Sequence, residues 1–340
     1  MLSVLSRTAL ALALALAACD SDSKSAPKAD EKKAEADAKA DAKDAPEIAA
    51  KKPRSRAPNS DKARMPEPKG RVVVLGSLAG NLAATKAALK AAGAVDDGGK
   101  WTGGDLVVVQ LGNLFGPSKD EKATLDLLDG LADQAKAAGG ALYRLTGENE
   151  ILNVALNFKD IVHAQGFKDY AKEKSDDPRI EDLPAAQRGR AAVFASGGPL
   201  ARKLSEQKLV MVVGDSVFAH AGLLEDHIQK GIDNINDQGT KWMIGEIAMM
   251  PDMLAGPGPA RTPKLRGNEP FCPAVDEITE LLAVKRLVIA RPAADKIDAV
   301  MCSGKLVRVG AVAGDASGPA EVLELAGGAV KFIPVPAAGK

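Results

Sequence analysis

The feature that most limits the fold is a unit that recurs in the first half of the chain: an apolar strand, a glycine-containing loop and a helix. The apolar runs span residues 71–75, 105–111 and 141–145. Helical stretches at 82–92 and from the capping residues at 118–121 to Gly139 lie between them. Strands that alternate with helices in this way predict an α/β domain, with a parallel-rich sheet covered by helices on both faces.

Both helices have start signals in the sequence. Asn81 precedes the first helix as a predicted cap, and Gly93 ends it. Ser118 and Glu121 have the spacing of a capping box at the start of the second helix, in which each side chain accepts a backbone N–H from the other residue. The pattern therefore predicts two helices with defined N-terminal ends.

The second half of the chain contains further strands. Residues 210–213 and 216–219 predict a hairpin across the turn at Gly214 and Asp215. Later strands are predicted at 286–290, 306–312, 320–325 and 330–335. A simple doubly wound fold lacks such a meander, and we predict one globular domain over residues 70–338.

The N-terminal residues have the features of an export signal. Arg7 is followed by an Ala- and Leu-rich run that is too short to cross a bilayer as a helix. The sequence Leu16-Ala-Ala-Cys19 resembles the lipobox of bacterial lipoproteins, which implies a signal peptide at 1–18 and lipidation of the Cys19 thiol and its new amino group. We therefore expect an exported protein, held by acyl chains such as palmitate to a bacterial membrane, inner or outer, and facing the periplasm. An ordinary secretory signal that ends near a cysteine is the alternative.

Residues 19–69 join this anchor to the domain. From Asp20 onward the segment consists mostly of Ala, Lys, Asp, Glu, Ser and Pro, and Ile48 is its only β-branched aliphatic residue. Such a composition cannot bury enough apolar surface to offset the entropy of ordering, so we predict a disordered, solvated tether without fixed contacts to the domain. A transiently helical spacer is the alternative.

The charge balance excludes one class of function. The chain has 45 Lys and Arg residues against 45 Asp and Glu residues, so its formal net charge is zero. Nucleic-acid-binding proteins normally carry a basic patch or an extreme isoelectric point. We therefore expect no nucleic-acid partner.

The predicted domain contains two cysteines, Cys272 and Cys302. In an exported protein such a pair predicts a disulfide, and two buried free thiols are the alternative. A bridge between them would close a loop of roughly 30 residues.

The loops that follow the strands carry the candidate chemistry, because ligands bind at the carboxyl ends of the strands in such sheets. These loops span residues 76–81, 112–118, 147–150, 218–223 and 288–292. The first loop lacks the G-x-G-x-x-G of a dinucleotide site, and no Gly-Lys-Ser/Thr of a P-loop follows it. Both classes of nucleotide site are therefore excluded at this loop.

The order and spacing of these loops resemble the calcineurin-like metallophosphoesterase superfamily, on its serine/threonine-phosphatase-like branch, over nearly all of residues 71–335. The loops of that family read G-D-x-H-G-N, G-D-x-x-D-R-G, G-N-H-E, H-G-G and a late G-H, and they assemble a two-metal site. In that site a bridging hydroxide attacks phosphorus, and the His of G-N-H-E serves as general acid. The resemblance implies an α/β sandwich of two mixed β-sheets flanked by helices.

At most of the site positions, this chain has a different amino acid from the one that the family has there. Carried over one by one, these are Ser77 for the first Asp ligand, Ala79 for the first His, Asn113 for the bridging Asp, Gly116 and Pro117 for a later Asp and the phosphate-binding Arg, Glu148 for the Asn ligand, Asn149 for the acid His, and Arg291 for the last His. Among the ligand positions, His220 alone keeps the family residue. Alanine has no donor atom, and an arginine brings a permanent cation, so the resemblance implies a site that no longer holds two divalent ions.

The leading interpretation is therefore a catalytically inactive pseudophosphatase without a metal cofactor, which acts in binding or scaffolding at the cell envelope. Its partners would be the membrane and an unidentified protein or phosphorylated ligand. One alternative is a residual phosphoester hydrolase with one weakly held metal, such as Mn, Fe or Zn, at Asn113, Glu148 and His220. Another alternative is a structural envelope lipoprotein that has no ligand.

One ion pair is expected in the altered site. Glu148 and Arg291 stand at positions that ligate the same metal in the family, so we expect them to pair beside His220 and Asn113. If the loops have drifted, the two side chains point separately to solvent.

The three histidines have different expected roles. With its partner ligands replaced, His220 is either a metal ligand or a hydrogen-bonded, semi-buried residue at a strand end. His163 and His227 have polar neighbours on helix-like stretches, so we expect both on the surface.

Overall fold

The computed structural model describes residues 60–291, 298–314 and 318–336. The predicted signal peptide, Cys19 and the tether up to residue 59 lie outside the described residues, as does the predicted domain end at 338. Within the described part of the chain, no helix is both long and apolar enough to cross a membrane.

The described residues form strands and helices in alternation. The strands are β1 (Val72–Leu75), β2 (Val107–Gln110), β3 (Ala141–Arg144), β4 (Val210–Val213), β5 (Ser216–Ala219), β6 (Arg286–Ala290), β7 (Val300–Met301), β8 (Leu306–Val309), β9 (Glu321–Ala326) and β10 (Ala329–Pro334). The helices are α1 (Leu82–Ala91), α2 (Glu121–Ala137), α3 (Glu148–Val154), α4 (Ala164–Lys168), α5 (Pro178–Glu181), α6 (Ala185–Phe194), α7 (Pro199–Leu204), α8 (Glu225–Lys230), α9 (Ile232–Ile244), α10 (Asp252–Ala255) and α11 (Cys272–Leu281). A 3₁₀ turn at Cys302–Gly304 joins β7 to β8.

The strands form two mixed sheets. The first has the order β10-β9-β1-β2-β3, in which β1, β2 and β3 are parallel and β9 is antiparallel to both of its neighbours. The second has the order β4-β5-β6-β8-β7, in which β5, β6 and β8 are parallel and the two edge strands are antiparallel. The predicted fold class and the predicted hairpin of β4 and β5 are confirmed.

Strand β1 shows why the sheets pack in two layers. Successive side chains of a strand point to opposite faces. Val72 and Val74 pack in a core with Val288 of the second sheet, whereas Val73 and Leu75 belong to the core that the helices cover. Because all four residues of β1 are buried, the strand reads as a continuous apolar run.

The two predicted helix starts have different outcomes. Asn81 caps α1 as predicted, since its Oδ1 accepts the N–H of Ala84 at 3.0 Å. The capping box predicted for the second helix is wrong: α2 begins at Glu121, and the preceding Asp120 makes no side-chain cap. The Glu121 carboxylate is fully buried in an ion pair with Arg190, so it cannot reach back to cap its own helix.

The prediction that the tether has no fixed contacts is wrong for residues 60–69. Ala63 is fully buried, and the N–H groups of Lys62 and Ala63 donate to the Asp233 carboxylate at 3.0 and 2.8 Å. The N–H of Val212 on β4 donates to the carbonyl of Ala63 at 2.9 Å. An edge strand offers unpaired backbone groups, and pairing with them requires no apolar side chains. Composition therefore did not reveal this contact.

The two alternatives for the cysteines are resolved in favour of the bridge. Cys272 and Cys302 form a disulfide, with their Cα atoms 5.2 Å apart. The disulfide joins the first residue of α11 to the 3₁₀ turn before β8.

The expectation of two surface histidines is half wrong. His163 is exposed, as predicted. His227 is only 4% exposed, and its Nδ1 accepts the N–H of Leu224 at 3.0 Å. Burial lowers the pKa of His227 to about 4. The His227 ring caps the start of α8 and is buried. The polar residues next to His227 in the sequence do not indicate this burial.

Candidate functional site

Three loops meet at the carboxyl ends of β1, β2 and β3. The N–H groups of Leu78 and Ala79 donate to the carbonyl of Asn113 at 3.1 and 2.9 Å. The Oδ1 atom of Asn113 accepts the N–H of Asn149 at 2.9 Å. The structure therefore brings together Ala79, Asn113 and Asn149, three positions that the family resemblance assigns to one site.

The Glu150 carboxylate holds the backbone of these loops. It accepts the N–H groups of Asn113 at 2.8 Å, Gly147 at 2.7 Å and Phe115 at 3.2 Å. Glu150 is fully buried, and burial raises the pKa of its carboxyl while the backbone donors oppose that rise. Our reading of the sequence missed this role. The available signal was a Glu three residues after Gly147 at a helix start, which is the spacing of an N-terminal cap.

The loops after β1 and β2 pack directly against each other. Ala79 has a φ of 50°, in the left-handed region, and a Cβ on Gly116 would come within 2.6 Å of the Ala79 Cα. A larger side chain at position 116 therefore has no room in this conformation. Pro117 is exposed, and Ser77 is half-buried with its carbonyl accepting the N–H of Val312 at 3.1 Å.

His220 follows β5 and links the two sheets. Its side chain is fully buried, and Nδ1 donates to the carbonyl of Leu111 at 2.7 Å. Burial and the charge of Arg266 lower the His220 pKa to about 4, although the bond to Leu111 opposes this shift. The ring is therefore neutral at pH 7, and because a carbonyl only accepts, the proton is assigned to Nδ1 and Nε2 is an acceptor. No group in the described part of the chain donates to Nε2.

The predicted ion pair between Glu148 and Arg291 is wrong. Arg291 Nη2 instead donates to Glu321 Oε1 at 2.7 Å, with both side chains largely buried. The guanidinium lies against the backbone of Gly310 and Gly318, where an added Cβ would come within 2.3 and 2.6 Å of Nη2. These two glycines leave room for the arginine to reach the start of β9, which is why it does not pair with α3.

Glu148 pairs with an arginine that the sequence analysis did not single out. The Nε atom of Arg261 lies 3.2 Å from Glu148 Oε1 in a partly exposed ion pair. Arg261 belongs to residues 256–271, between α10 and α11, which we call the cover segment. The carbonyl of Pro259 accepts the N–H of Ala221 at 2.8 Å, so the cover segment lies against the end of β5.

Arg266 is the second arginine on the cover segment. Its side chain forms no hydrogen bond or ion pair with the described residues, and its Nε is buried. Burial lowers the pKa of its guanidinium, and the charge of Glu148 opposes this shift. Its charge also acts on His220, so the three groups lie close enough to interact electrostatically. No motif or strand pattern surrounds Arg261 or Arg266, and our reading of the sequence therefore missed both.

The residues present do not fit the two-metal centre that the resemblance implies. Among the described residues, no group of three or more His, Cys, Asp or Glu side chains is placed to hold a metal ion. Asn113 Oδ1 already accepts a backbone N–H, and Glu148 is paired with Arg261. His220 Nε2 is then the one remaining candidate donor of the three, and a neighbouring guanidinium disfavours a second cation there.

The chain is similar in sequence and in fold to known phosphatases. It is 29% identical over 294 residues to Shewanella-like protein phosphatase 2 of Arabidopsis thaliana, which covers 75% of this chain and 75% of that protein. It is 28% identical over 131 residues to an uncharacterized protein of Acanthamoeba polyphaga mimivirus, which covers 35% of this chain and 50% of that protein. No protein-family model matches the chain.

Two solved structures share the fold. The cold-active protein tyrosine phosphatase of a psychrophilic Shewanella has a TM-score of 0.62 at 18% identity, covering 85% of this chain and 89% of that one. A point mutant of a cold-active protein tyrosine phosphatase has a TM-score of 0.63 at 18% identity, covering 80% of each chain. At this level of identity the likeness concerns the fold alone.

Proposed function

Because the described domain has the calcineurin-like metallophosphoesterase fold, we propose that it binds a phosphorylated ligand without hydrolysing it, as a pseudophosphatase at the cell envelope. The observation that carries the proposal is Arg266, a half-buried cation that has no partner among the described residues and lies near the neutral ring of His220. A phosphate group supplies the anion that this arrangement lacks.

Of the three arginines around the strand ends, one forms no ion pair with the described residues. Arg261 is paired with Glu148, and Arg291 is paired with Glu321. Arg266 has no such carboxylate among the described residues. A desolvated guanidinium gains strongly from a planar or tetrahedral oxyanion, because it offers several N–H donors in a fixed fork.

His220 adds no positive charge beside Arg266. Its ring is neutral at pH 7, and Nδ1 carries the ring proton and donates to Leu111. Its Nε2 atom is buried and does not touch the ligand. A phosphate monoester has a second pKa of about 6, so near neutral pH it presents anionic oxygens, and in the proposed complex these oxygens accept from Arg266.

The same residues do not support hydrolysis. The family uses metal ions to supply an activated hydroxide, and the donor set of this chain does not fit them. At the position of the family's acid, the Asn149 amide donates to the carbonyl of Phe115 at 2.8 Å and carries no transferable proton. His220, with a pKa of about 4, is neutral at pH 7 and is not an acid at that pH.

The proposal is tested on the purified full-length protein by titration calorimetry with inorganic phosphate in EDTA. We expect phosphate to bind to the wild-type protein. Arg266→Gln should weaken phosphate binding by at least about tenfold. The matched control is Arg188→Gln, an exposed arginine that donates to the carbonyls of Leu183 and Glu181, and it should leave the affinity unchanged.

Turnover of p-nitrophenyl phosphate with added manganese separates the alternatives. We expect none. Manganese-dependent turnover that His220→Ala abolishes would support the residual hydrolase and contradict the proposal. A wild-type protein that binds no phosphate would favour the ligand-free structural lipoprotein.

Anchoring at the membrane is the second part of the proposal, and it is supported by the sequence around Cys19. We propose that the acyl chains hold the protein in a bacterial membrane with its domain in the periplasm. Cys19→Ala should move the protein from the detergent phase to the aqueous phase, whereas the matched variant Ser21→Ala should leave it in the detergent phase. A Cys19→Ala protein that stays with the membrane would point to a different anchor.

A further inference from the structure

We infer that Arg308, a buried arginine on β8, positions Arg266 for ligand binding. The inference rests on the proposed function, because it names a residue that acts through the same site. Arg308 reaches the cover segment rather than the ligand, so it is a positioning residue.

Arg308 binds the backbone on both sides of Arg266. Its Nε and Nη2 donate to the carbonyl of Leu265 at 3.1 and 2.8 Å, and Nη2 also donates to the carbonyl of Gly267 at 2.6 Å. Nη1 donates to the carbonyl of Asp298 at 3.2 Å. One planar guanidinium thus holds the carbonyl groups of the two residues that flank Arg266 in the chain.

The burial of Arg308 indicates that its hydrogen bonds hold the cover segment in place. The residue is fully buried and forms no ion pair with the described residues, and burial lowers the pKa of its guanidinium. Its neighbours Val307 and Val309 face the core between the sheets, so the alternation of the strand turns Arg308 toward the other face. An apolar side chain would be buried there at lower cost. The arginine adds three charge-assisted hydrogen bonds to the cover segment.

Fixing the backbone at Leu265 and Gly267 reduces the freedom of the residue between them. Leu265 is also 1% exposed, so its side chain anchors the same peptide from the apolar side. A site whose supporting contacts are already formed loses less entropy when the ligand binds. Arg308 therefore raises affinity through the placement of Arg266, without touching the phosphate.

The test compares Arg308→Met with Arg286→Met in the full-length protein. Arg286 is a matched control, since it is a strand arginine that is 5% exposed and donates to the carbonyl of Gly328 at 2.9 Å, at the opposite end of β6 from the site. We expect both variants to lose stability. Only Arg308→Met should raise the Kd for inorganic phosphate, by about tenfold.

A second background separates positioning from general damage. In an Arg266→Gln protein, adding Arg308→Met should leave the Kd for phosphate unchanged, because Arg308 acts only through Arg266. If Arg308→Met does not fold, Arg308→Lys replaces it with the same expectations, because an ammonium group cannot hold both carbonyls in a fork.

A third measurement needs no ligand. Trypsin cleavage after Arg266 under native conditions, followed by mass spectrometry, should be at least about tenfold faster in Arg308→Met than in Arg286→Met. Equal cleavage, or an equal change of Kd in the two variants, would overturn the inference. If the wild-type protein binds no phosphate but the cleavage difference is found, the proposed function fails and the positioning role stands.

Discussion

Arg190 and Arg266 are both withdrawn from solvent, but their surroundings are opposite. Arg190, on α6, is fully buried, forms an ion pair with Glu121 and donates to Asn153 Oδ1 at 2.8 Å. Four aromatic rings have centroids 4.4 to 5.8 Å from its Cζ: Phe115, Phe158, Tyr170 and Phe194. Arg266, on the cover segment, is half-buried, and its side chain bonds to none of the described residues.

This difference separates an arginine that stabilises the domain from one that, in our proposal, binds a ligand. The hydrogen bonds of Arg190 are made within the protein, so the free energy of its contacts goes into folding. The charge of Glu148 offsets only part of the cost of desolvating Arg266, and no carboxylate forms an ion pair with it among the described residues, so an external oxyanion would supply hydrogen bonds that the guanidinium lacks. Two residues of the same type thus have different roles because of their partners alone.

The largest expected effect is the loss of Arg190. Arg190→Met should lower the free energy of unfolding by about 3–5 kcal/mol, because it leaves the Glu121 carboxylate buried without its partner. Urea unfolding measures the loss, and the double variant with Glu121→Leu should recover part of it. The Kd for phosphate in the folded fraction should not change. A loss below about 1 kcal/mol would mean that the cluster is not the stabilising region.

The disulfide gives the next largest effect, on the side of the cover segment. Replacing Cys272 and Cys302 by Ser should lower the free energy of unfolding by about 3 kcal/mol, because the bridge spans a sequence separation of 30 residues. Calorimetry of the double variant measures this change, with the reduced wild-type protein as a control. Two free thiols in the unreduced, unfolded protein would contradict the expectation at the outset.

A pH effect of similar size should come from His220. Its folded-state pKa of about 4 lies below the ordinary value of 6.5, so the unfolded chain takes up a proton first as the pH falls. Wild-type stability should therefore fall between pH 6.5 and 4, by roughly 3 kcal/mol from this group, and level off below. His220→Gln should remove about half of the slope that the two histidines give to this part of the urea-stability profile, because His227, whose pKa is also lowered to about 4, contributes a similar slope in that variant. An unchanged profile would contradict the neutral state of the His220 ring.

Replacing Arg266 should change the stability least, and it distinguishes the two arginines most clearly. Arg266→Gln should leave the free energy of unfolding unchanged or raise it by up to about 1 kcal/mol, because it removes a partly desolvated cation without an internal partner. The same variant should lose phosphate affinity, which is the reverse of the outcome for Arg190→Met. A loss of 3 kcal/mol, as expected at Arg190, would show that Arg266 has a structural partner after all.

Part of the candidate site was predictable from the sequence. The resemblance to the family implied that the loops of Ala79, Asn113 and Asn149 form one site, and hydrogen bonds join these three loops in the structure. The pairing of Arg291 was not predictable, because it depends on the room that two glycines leave toward Glu321. Local spacing carries no information about such gaps between distant loops.

The amino-acid sequence by itself determined the order of strands, loops and helices, because apolar periodicity and turn residues act over a few positions. That order places the site at one end of the sheets, whatever residues fill the loops. Which charges form ion pairs depends on the tertiary structure: Arg261 pairs with Glu148 and Arg291 with Glu321, whereas the Arg266 side chain forms no ion pair with the described residues. The physical reason is that an ion pair forms where packing brings two groups within a few ångströms, and residues far apart in the chain meet only after the domain has folded.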